Sequence, residues 1–371
     1  MARIGIAGAG VLGRLLAWQL ARTGHEVCVV DPAAGPQAPP LSASGAGAVS
    51  SAQRAAGFTA AGMLSPLAEL DHADDRIAAL GWRSLPLWAA VAEALPANPP
   101  LLRCHGSLLL AHRSDLGSAQ RVLARLQASA GKDAAQALSA DALRALEPAL
   151  ASGLQGWLLP GEGQVMPREL LQALAEHAAG VQWHWGRQAT EVHPGAITLD
   201  DGTTLPCDLA IDVRGLGARS TGLTLRGVRG EILWLHAPGG VLHRPVRLLH
   251  PRHRIYLVPR PGDVVAVGAS EIESEDRSPI SLRTAVELMS AAHSVLPELA
   301  EARLLHHDTH LRPATPDHLP HLHHQSGLLQ INGLFRHGWL IAPALVQDAL
   351  CMAGLSTDAL QPVHPSEGVP A

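Results

Sequence analysis

The opening stretch constrains this chain most. Residues 3–7 (Arg-Ile-Gly-Ile-Ala) read as a short buried strand leading into Gly8-Ala9-Gly10-Val11-Leu12-Gly13. A helix from about Val11 to Arg22 follows, with Leu12, Leu15, Leu16 and Leu20 at helical spacing and Gly24 as a C-terminal cap. Residues 26–30 (Glu-Val-Cys-Val-Val) read as a second strand ending on Asp31. Strand, glycines, helix, strand and acid in this order describe a βαβ dinucleotide site. The first glycine allows the tight turn, the second lets backbone approach a pyrophosphate, and the third lets helix pack on strand. Amides at the helix start then meet phosphate, helped by the helix dipole. Asp31, 21 residues after Gly10, is placed to accept ribose hydroxyls. An acid here disfavours a 2′-phosphate and so NADP, but the spacing does not separate NAD from FAD.

Beyond this unit the chain alternates. Residues 32–61 are rich in Ala, Gly, Ser and Pro and read as a long loop. Helical spacing recurs near 72–94, 117–130, 168–178 and 280–293, and in a final helix from about Gly338 to Cys351. Strands are expected at 107–111, as a meander over 181–213, and at 229–236, 254–259, 264–269 and 328–332; the tail after Pro362 reads as frayed. An opening βαβ unit, later strand-to-glycine turns near 213–217 and 333–342, and hairpins between them suggest a split nucleotide-binding sheet. A second domain is inserted into it.

Composition narrows the function classes. Lys and Arg number 28 against 33 Asp and Glu, a net charge of −5, and no basic stripe suggests nucleic acid. No apolar stretch is long and uncharged enough to be a membrane span. Cys28, Cys104, Cys207 and Cys351 form no CxxC pair, which suits a reduced, cytoplasmic setting. Among 21 His, the run of His306, His307, His310, His318, His321, His323 and His324 has no metal-ligand spacing and reads as a solvated loop. No metal is expected, and homo-oligomer formation is left open.

Five later motifs appear in order: Ala60-Ala61-Gly62-Met63-Leu64-Ser65-Pro66, Tyr256-Leu257-Val258-Pro259-Arg260, Val267-Gly268-Ala269-Ser270, Leu311-Arg312-Pro313-Ala314-Thr315-Pro316-Asp317 and Gly333-Leu334-Phe335-Arg336-His337-Gly338. With the glycine loop, this series resembles the glycine oxidase branch of the D-amino acid oxidase family over Arg3 to about Ala344. The branch is associated with thiamine biosynthesis. The resemblance implies an α/β chain with an FAD-binding Rossmann-like domain built from 1–85, 150–220 and 305–371. A substrate domain with a mostly antiparallel sheet would span 86–149 and 221–304. It implies noncovalent FAD, with Gly8, Ala9, Gly10, Val11, Leu12, Gly13 and Asp31 at the pyrophosphate and ribose. Ala61, Gly62 and Met63 would lie along the flavin, Ala189 at the adenine, and Gly215 nearby. Arg336, His337, Gly338, Trp339 and Leu340 would face the pyrimidine end of the ring, where fixed donors favour the reduced cofactor.

By the same resemblance, Arg312 makes a two-point contact with an amino-acid carboxylate, while Tyr256 and Arg336 orient the carboxylate or amine. Hydride transfer from Cα to flavin N5 gives an imino acid without an obligate side-chain base, and oxygen reoxidises the flavin to yield peroxide, unless another acceptor takes the electrons. Departures from the family pattern are Glu271 at a pocket-lining and often apolar position, His310 before Leu-Arg-Pro, and His337. Taken singly, Arg312 reads more readily as a surface ion-pair partner, and Tyr256 reads also as cross-strand packing. The alternatives are a D-amino or N-methyl amino acid substrate, an NAD-linked dehydrogenase, or a dinucleotide-binding module without catalysis.

Overall fold

A computed structural model describes residues 1–38, 54–71, 74–131, 133–250 and 255–357. Residues 39–53 of the expected 32–61 loop, Arg254 of one expected strand, His72 and Ala73 of one expected helix, and the tail after Pro362 lie outside the described residues.

Strand β1 (Arg3–Ala7), helix α1 (Val11–Arg22) and strand β2 (Glu26–Asp31) form as the glycine spacing requires. β1 is central in a six-stranded sheet, parallel to β2 on one side and to Leu209–Asp212 on the other. Gln182–Trp185 extends the β2 edge, while Leu328–Asn332 and the antiparallel His321–Gln325 extend the other. The chain order reverses at β1, so its carboxyl end opens on the crevice where such sheets bind ligands.

Leu12 to Leu20 of α1 are all buried, Arg14 and Gln19 included, because the helix is covered by both the sheet and the final helix, Gly338–Met352. That final helix contains Pro343, which cannot donate to the carbonyl of Trp339. Trp88, from the helix Asp75–Ala94, donates its indole N–H to this carbonyl at 2.7 Å. Ser84 of the same helix accepts from the Ala344 amide at 3.2 Å, so the break is repaired from outside. The repair also fixes where the final helix begins.

An eight-stranded mixed sheet forms the second layer, with Arg226–His236 antiparallel to both Val264–Gly268 and Arg303–Ala314. Ile255–Arg260 pairs with Val264–Gly268 and Val246–Leu248. Arg303–Ala314 and Gln155–Leu159 belong to this sheet by their ladder hydrogen bonds, although the sequence groups most of these residues with the cofactor segments.

The His-rich segment corrects one expectation. His306, His307 and His310 lie on Arg303–Ala314, and His321, His323 and His324 on His321–Gln325, so these six residues are in strands rather than a solvated loop. Each is an edge strand, where one side of the ladder meets solvent and polar residues are favoured. Among the described residues, no group of three or more His, Cys, Asp or Glu is placed to hold a metal ion. No described helix is long and apolar enough to cross a membrane.

Candidate functional site

A cavity of about 720 Å³ runs from the carboxyl end of β1 to the inner face of the eight-stranded sheet. That lies in the upper half of the range of small-molecule sites, roughly 300–1,000 Å³. Gly8 has φ of 106°, and a Cβ there would stand 2.7 Å from the Val213 carbonyl oxygen. A Cβ on Gly13 would stand 1.8 Å from the Gly8 carbonyl oxygen, so only glycine lets α1 close on the turn. Gly10 differs: its nearest neighbour is Ala55 at 3.8 Å, which leaves its backbone open to the cavity. α1 has no acidic residue in its first turn and no side-chain cap, so the positive end of its dipole meets the cavity uncompensated.

Asp31 lines the same end and accepts from the Ala9 amide at 2.6 Å and the Ala33 amide at 2.9 Å. Burial pushes its carboxyl up, against the pull of these two amides and of Arg14. Ala9 and Gly13 are therefore behind the wall, one orienting Asp31 and the other permitting helix packing, while Gly8, Gly10, Val11 and Leu12 line it. Arg14 braces the turn, donating to the carbonyls of Ala9, Pro36 and Leu171 at 2.7–2.8 Å. Burial lowers its pKa to about 10. Further along, Arg214 pairs with buried Asp212 at 2.8 Å and donates to the Ala189 carbonyl at 2.9 Å. This places Ala189 and Gly215 on the cavity wall.

Ala61, Gly62 and Met63 line the middle of the cavity. Gly62 has φ of 65°, and a Cβ there would meet the Pro167 ring at 2.6 Å. Opposite runs the turn Arg336-His337-Gly338, and Gly338, Trp339 and Leu340 present the start of the final helix, again without a side-chain cap. Two helix N-termini thus face one cavity.

The far end is polar. Arg312 lies across Gly230, where a Cβ would stand 2.5 Å from the guanidinium carbon, so the glycine makes room for the side chain. Its Nη atoms donate to the carbonyls of Ser270 at 3.1 Å and Arg229 at 3.3 Å. Burial lowers its pKa, partly opposed by Tyr256 and Glu271. Tyr256 lies across Gly268 in the same way, its hydroxyl 2.5 Å from where a Cβ would sit. Burial raises the phenol pKa, against Arg312, Arg247 and Arg260. Glu271 lines the cavity and accepts from Arg336 at 3.3 Å, with 47% of its side chain exposed, so it stands at the mouth.

Sequence reasoning missed Glu69 and Arg247. Glu69, at the end of the short helix Pro66–Glu69, accepts from Arg336 at 3.0 Å and Arg247 at 3.1 Å and approaches His337 Nδ1 at 3.3 Å. Its signal was a single acid within Leu67-Ala68-Glu69-Leu70, an apolar stretch beside a proposed cofactor motif. Glu162, fully buried, holds this helix in place by accepting the Leu67 and Ala68 amides at 2.8 and 3.3 Å. Burial pushes the Glu162 carboxyl up to about 7.

Burial works to raise the Glu69 carboxyl too, but Arg336, His337 and Arg247 outweigh it and hold the group well below its ordinary value. A carboxyl depressed in the folded state adds stability above its unfolded pKa, roughly 4.3, and loses it as pH falls through the folded value. Glu69→Gln is expected to lose about 3 kcal/mol at pH 7 by leaving two arginines without their shared anion. Urea midpoints followed downward from pH 7 should show this gap narrowing only once pH is below about 4.3. A gap that stays constant into that acid range would show that Glu69 contributes no charge-dependent stability.

The family model described as FAD dependent oxidoreductase matches residues 3–348. A Rhizobium etli protein named as a thiamine biosynthesis oxidoreductase, ThiO, is 37% identical over 344 residues, covering 92% of this chain and 94% of that one. Glycine oxidase of Geobacillus kaustophilus is 25% identical, covering 92% of this chain and 89% of its own. The crystal structure of glycine oxidase from that organism superimposes with a TM-score of 0.76 over the full length of both chains, at 24% identity.

Proposed function

The chain belongs to the FAD dependent oxidoreductase family, and on that premise we propose that it oxidises a small amino acid at Cα, with glycine as substrate and oxygen as acceptor. The observation that carries this reading is Arg312. Its guanidinium is fixed by neutral carbonyls in the cavity that holds the glycine loop, and no described carboxylate forms an ion pair with it. A substrate carboxylate supplies that counter-charge through a two-point contact. Tyr256, the single tyrosine of the chain, lines the same cavity, and we assign its hydroxyl as a donor to that carboxylate.

The cavity fits noncovalent FAD. Two uncapped helix starts face it, Gly10 leaves backbone open to it, and Asp31 offers a carboxylate beside the first helix. Gly8 to Leu12 and Asp31 would hold pyrophosphate and ribose, Ala189 and Gly215 the adenine end, and Ala61 to Met63 with Gly338 to Leu340 the ring. When bound, FAD supplies the two-electron acceptor for the Cα hydride.

The residues of the chain orient the substrate and exclude water. Glu69 and Glu271, the two described carboxylates that pair with Arg336, are held by it rather than free to serve as a base, and catalysis rests on positioning. Loss of hydride from Cα leaves an imino acid, which water converts to the oxo acid and ammonia. We assign the six-stranded sheet to cofactor and the eight-stranded sheet to substrate. We also place the reaction in the cytoplasm, in keeping with four unpaired cysteines.

Turnover of glycine, sarcosine and D-alanine in air should release peroxide, fastest with glycine. Glu271→Met should change the ratio of rates among the three, because the variant removes an anion from the mouth. An unchanged ratio would place Glu271 outside the path of the substrate.

A further inference from the structure

A second, smaller cavity of about 60 Å³ adjoins the wall of the first. It is lined by Pro167, Arg168, Glu169, Trp234, Arg260 and Val264, and Pro167 is the residue that packs against Gly62. The reaction proposed above uses none of these side chains.

Two buried donor side chains, Arg260 and Trp234, meet at this cavity. Arg260 is 8% exposed; one Nη donates to the Val165 carbonyl at 2.8 Å and stands 3.1 Å from the Met166 sulfur. Its Nε and other Nη are buried without a partner. Trp234 is 2% exposed and buries its indole N–H without a partner. The guanidinium of Arg168 stands 6.0 Å from the Trp234 ring. The helix Pro167–Glu176 begins at the cavity, and its N-cap, Met166, provides no side-chain cap.

This combination selects the ligand. Water accepts two hydrogen bonds and must place its own two hydrogens on acceptors, yet every unpartnered buried side-chain atom lining this cavity is a donor. An uncharged ligand also leaves a buried guanidinium without a counter-ion. The one lining carboxylate, Glu169, is exposed; it acts on Arg260 from a distance and makes no ion pair with it. The volume is several times the ~10–15 Å³ that one water needs, and too small for an organic acid of several carbons.

We propose that this cavity binds a small monovalent inorganic anion of the chloride class, held by Arg260, Trp234 and the start of the Pro167–Glu176 helix. Burial already lowers the Arg260 pKa to about 10, a cost that a bound anion offsets. Arg260 also holds the Val165 carbonyl, and the Val165 amide donates to the Gly62 carbonyl at 2.9 Å. Occupancy therefore stiffens the strand that supports Ala61-Gly62-Met63.

The test is thermal unfolding of the FAD-loaded protein in sodium chloride against sodium gluconate at equal ionic strength. Chloride should raise Tm in a saturable way by about 2 °C or more, gluconate being too large to enter. Trp234→Phe removes one donor and keeps the ring, and it should shrink the chloride shift by about half or more. Glu169→Gln should enlarge the shift by removing a competing anion. A bromide-soaked crystal should show an anomalous peak beside Arg260. Equal Tm in the two salts, an undiminished shift in Trp234→Phe, or no bromide peak would overturn the proposal in favour of water or an inward-turned Glu169. If Arg260→Met folds, it should abolish the shift. If it does not, the Phe variant and the bromide peak decide.

Discussion

Arg312→Met is expected to lower kcat/KM for the amino acid by about 10²–10³-fold, ~3–4 kcal/mol, while leaving the bound flavin spectrum in place. The size follows from the site. Among the described residues no carboxylate forms an ion pair with Arg312, and Glu271 acts on it only from a distance, so a substrate carboxylate is its direct partner. Methionine is unbranched and fills much of the same groove over Gly230, which limits any loss from packing. Arg312→Lys should recover only part of the loss, because an ammonium cannot match a carboxylate at two points. Both variants are read by stopped-flow reduction of the flavin at several substrate concentrations. If Arg312→Met reduces its flavin as fast as the wild type at every concentration, Arg312 is only a brace between strands.

Gly13→Ala should produce the largest change in cofactor retention. The added Cβ would stand 1.8 Å from the Gly8 carbonyl oxygen, far inside contact distance, so α1 or the turn must move. A cost of about 3 kcal/mol is expected, with FAD affinity falling on the order of 100-fold as the amides at 10–12 are displaced. Gly10→Ala separates packing from ligand approach. Its Cβ meets nothing nearer than 3.8 Å, so the apoprotein should keep its Tm while FAD binding weakens. Tm of the apoprotein and FAD titration of each variant distinguish the two roles. If Gly10→Ala retains full FAD affinity, the backbone there does not approach the cofactor.

The parts of this molecule that the sequence makes legible are those whose causes are local. β1, α1, β2 and Asp31 follow one another within 31 residues, and Gly8 and Gly13 have their reason in their nearest neighbours. The His-rich strands were illegible for an equally physical reason. Edge strands present one side to solvent, so Arg303–Ala314 and His321–Gln325 lack the apolar alternation of interior strands.

The polar end of the cavity is assembled from residues far apart in the chain. Glu69 meets Arg247 across 178 positions and Arg336 across 267, and no spacing rule reaches that far. Arg312, Tyr256, Arg336 and Glu271 were named through the resemblance alone, and the fold brings all four to one cavity. Glu69 and Glu162 lacked any motif. Their partners are arginines and backbone amides that only the tertiary structure brings together.

We propose that this cavity binds FAD and passes it two electrons from a small amino acid. Anaerobic addition of glycine to the purified, FAD-loaded protein tests it directly by the flavin absorbance band. The band should bleach with saturable dependence on glycine, recover when air is admitted, and leave ammonia equal to the flavin reduced. A band that persists at every concentration of glycine, sarcosine and D-amino acids would show that this cavity does not pass electrons from an amino acid to flavin.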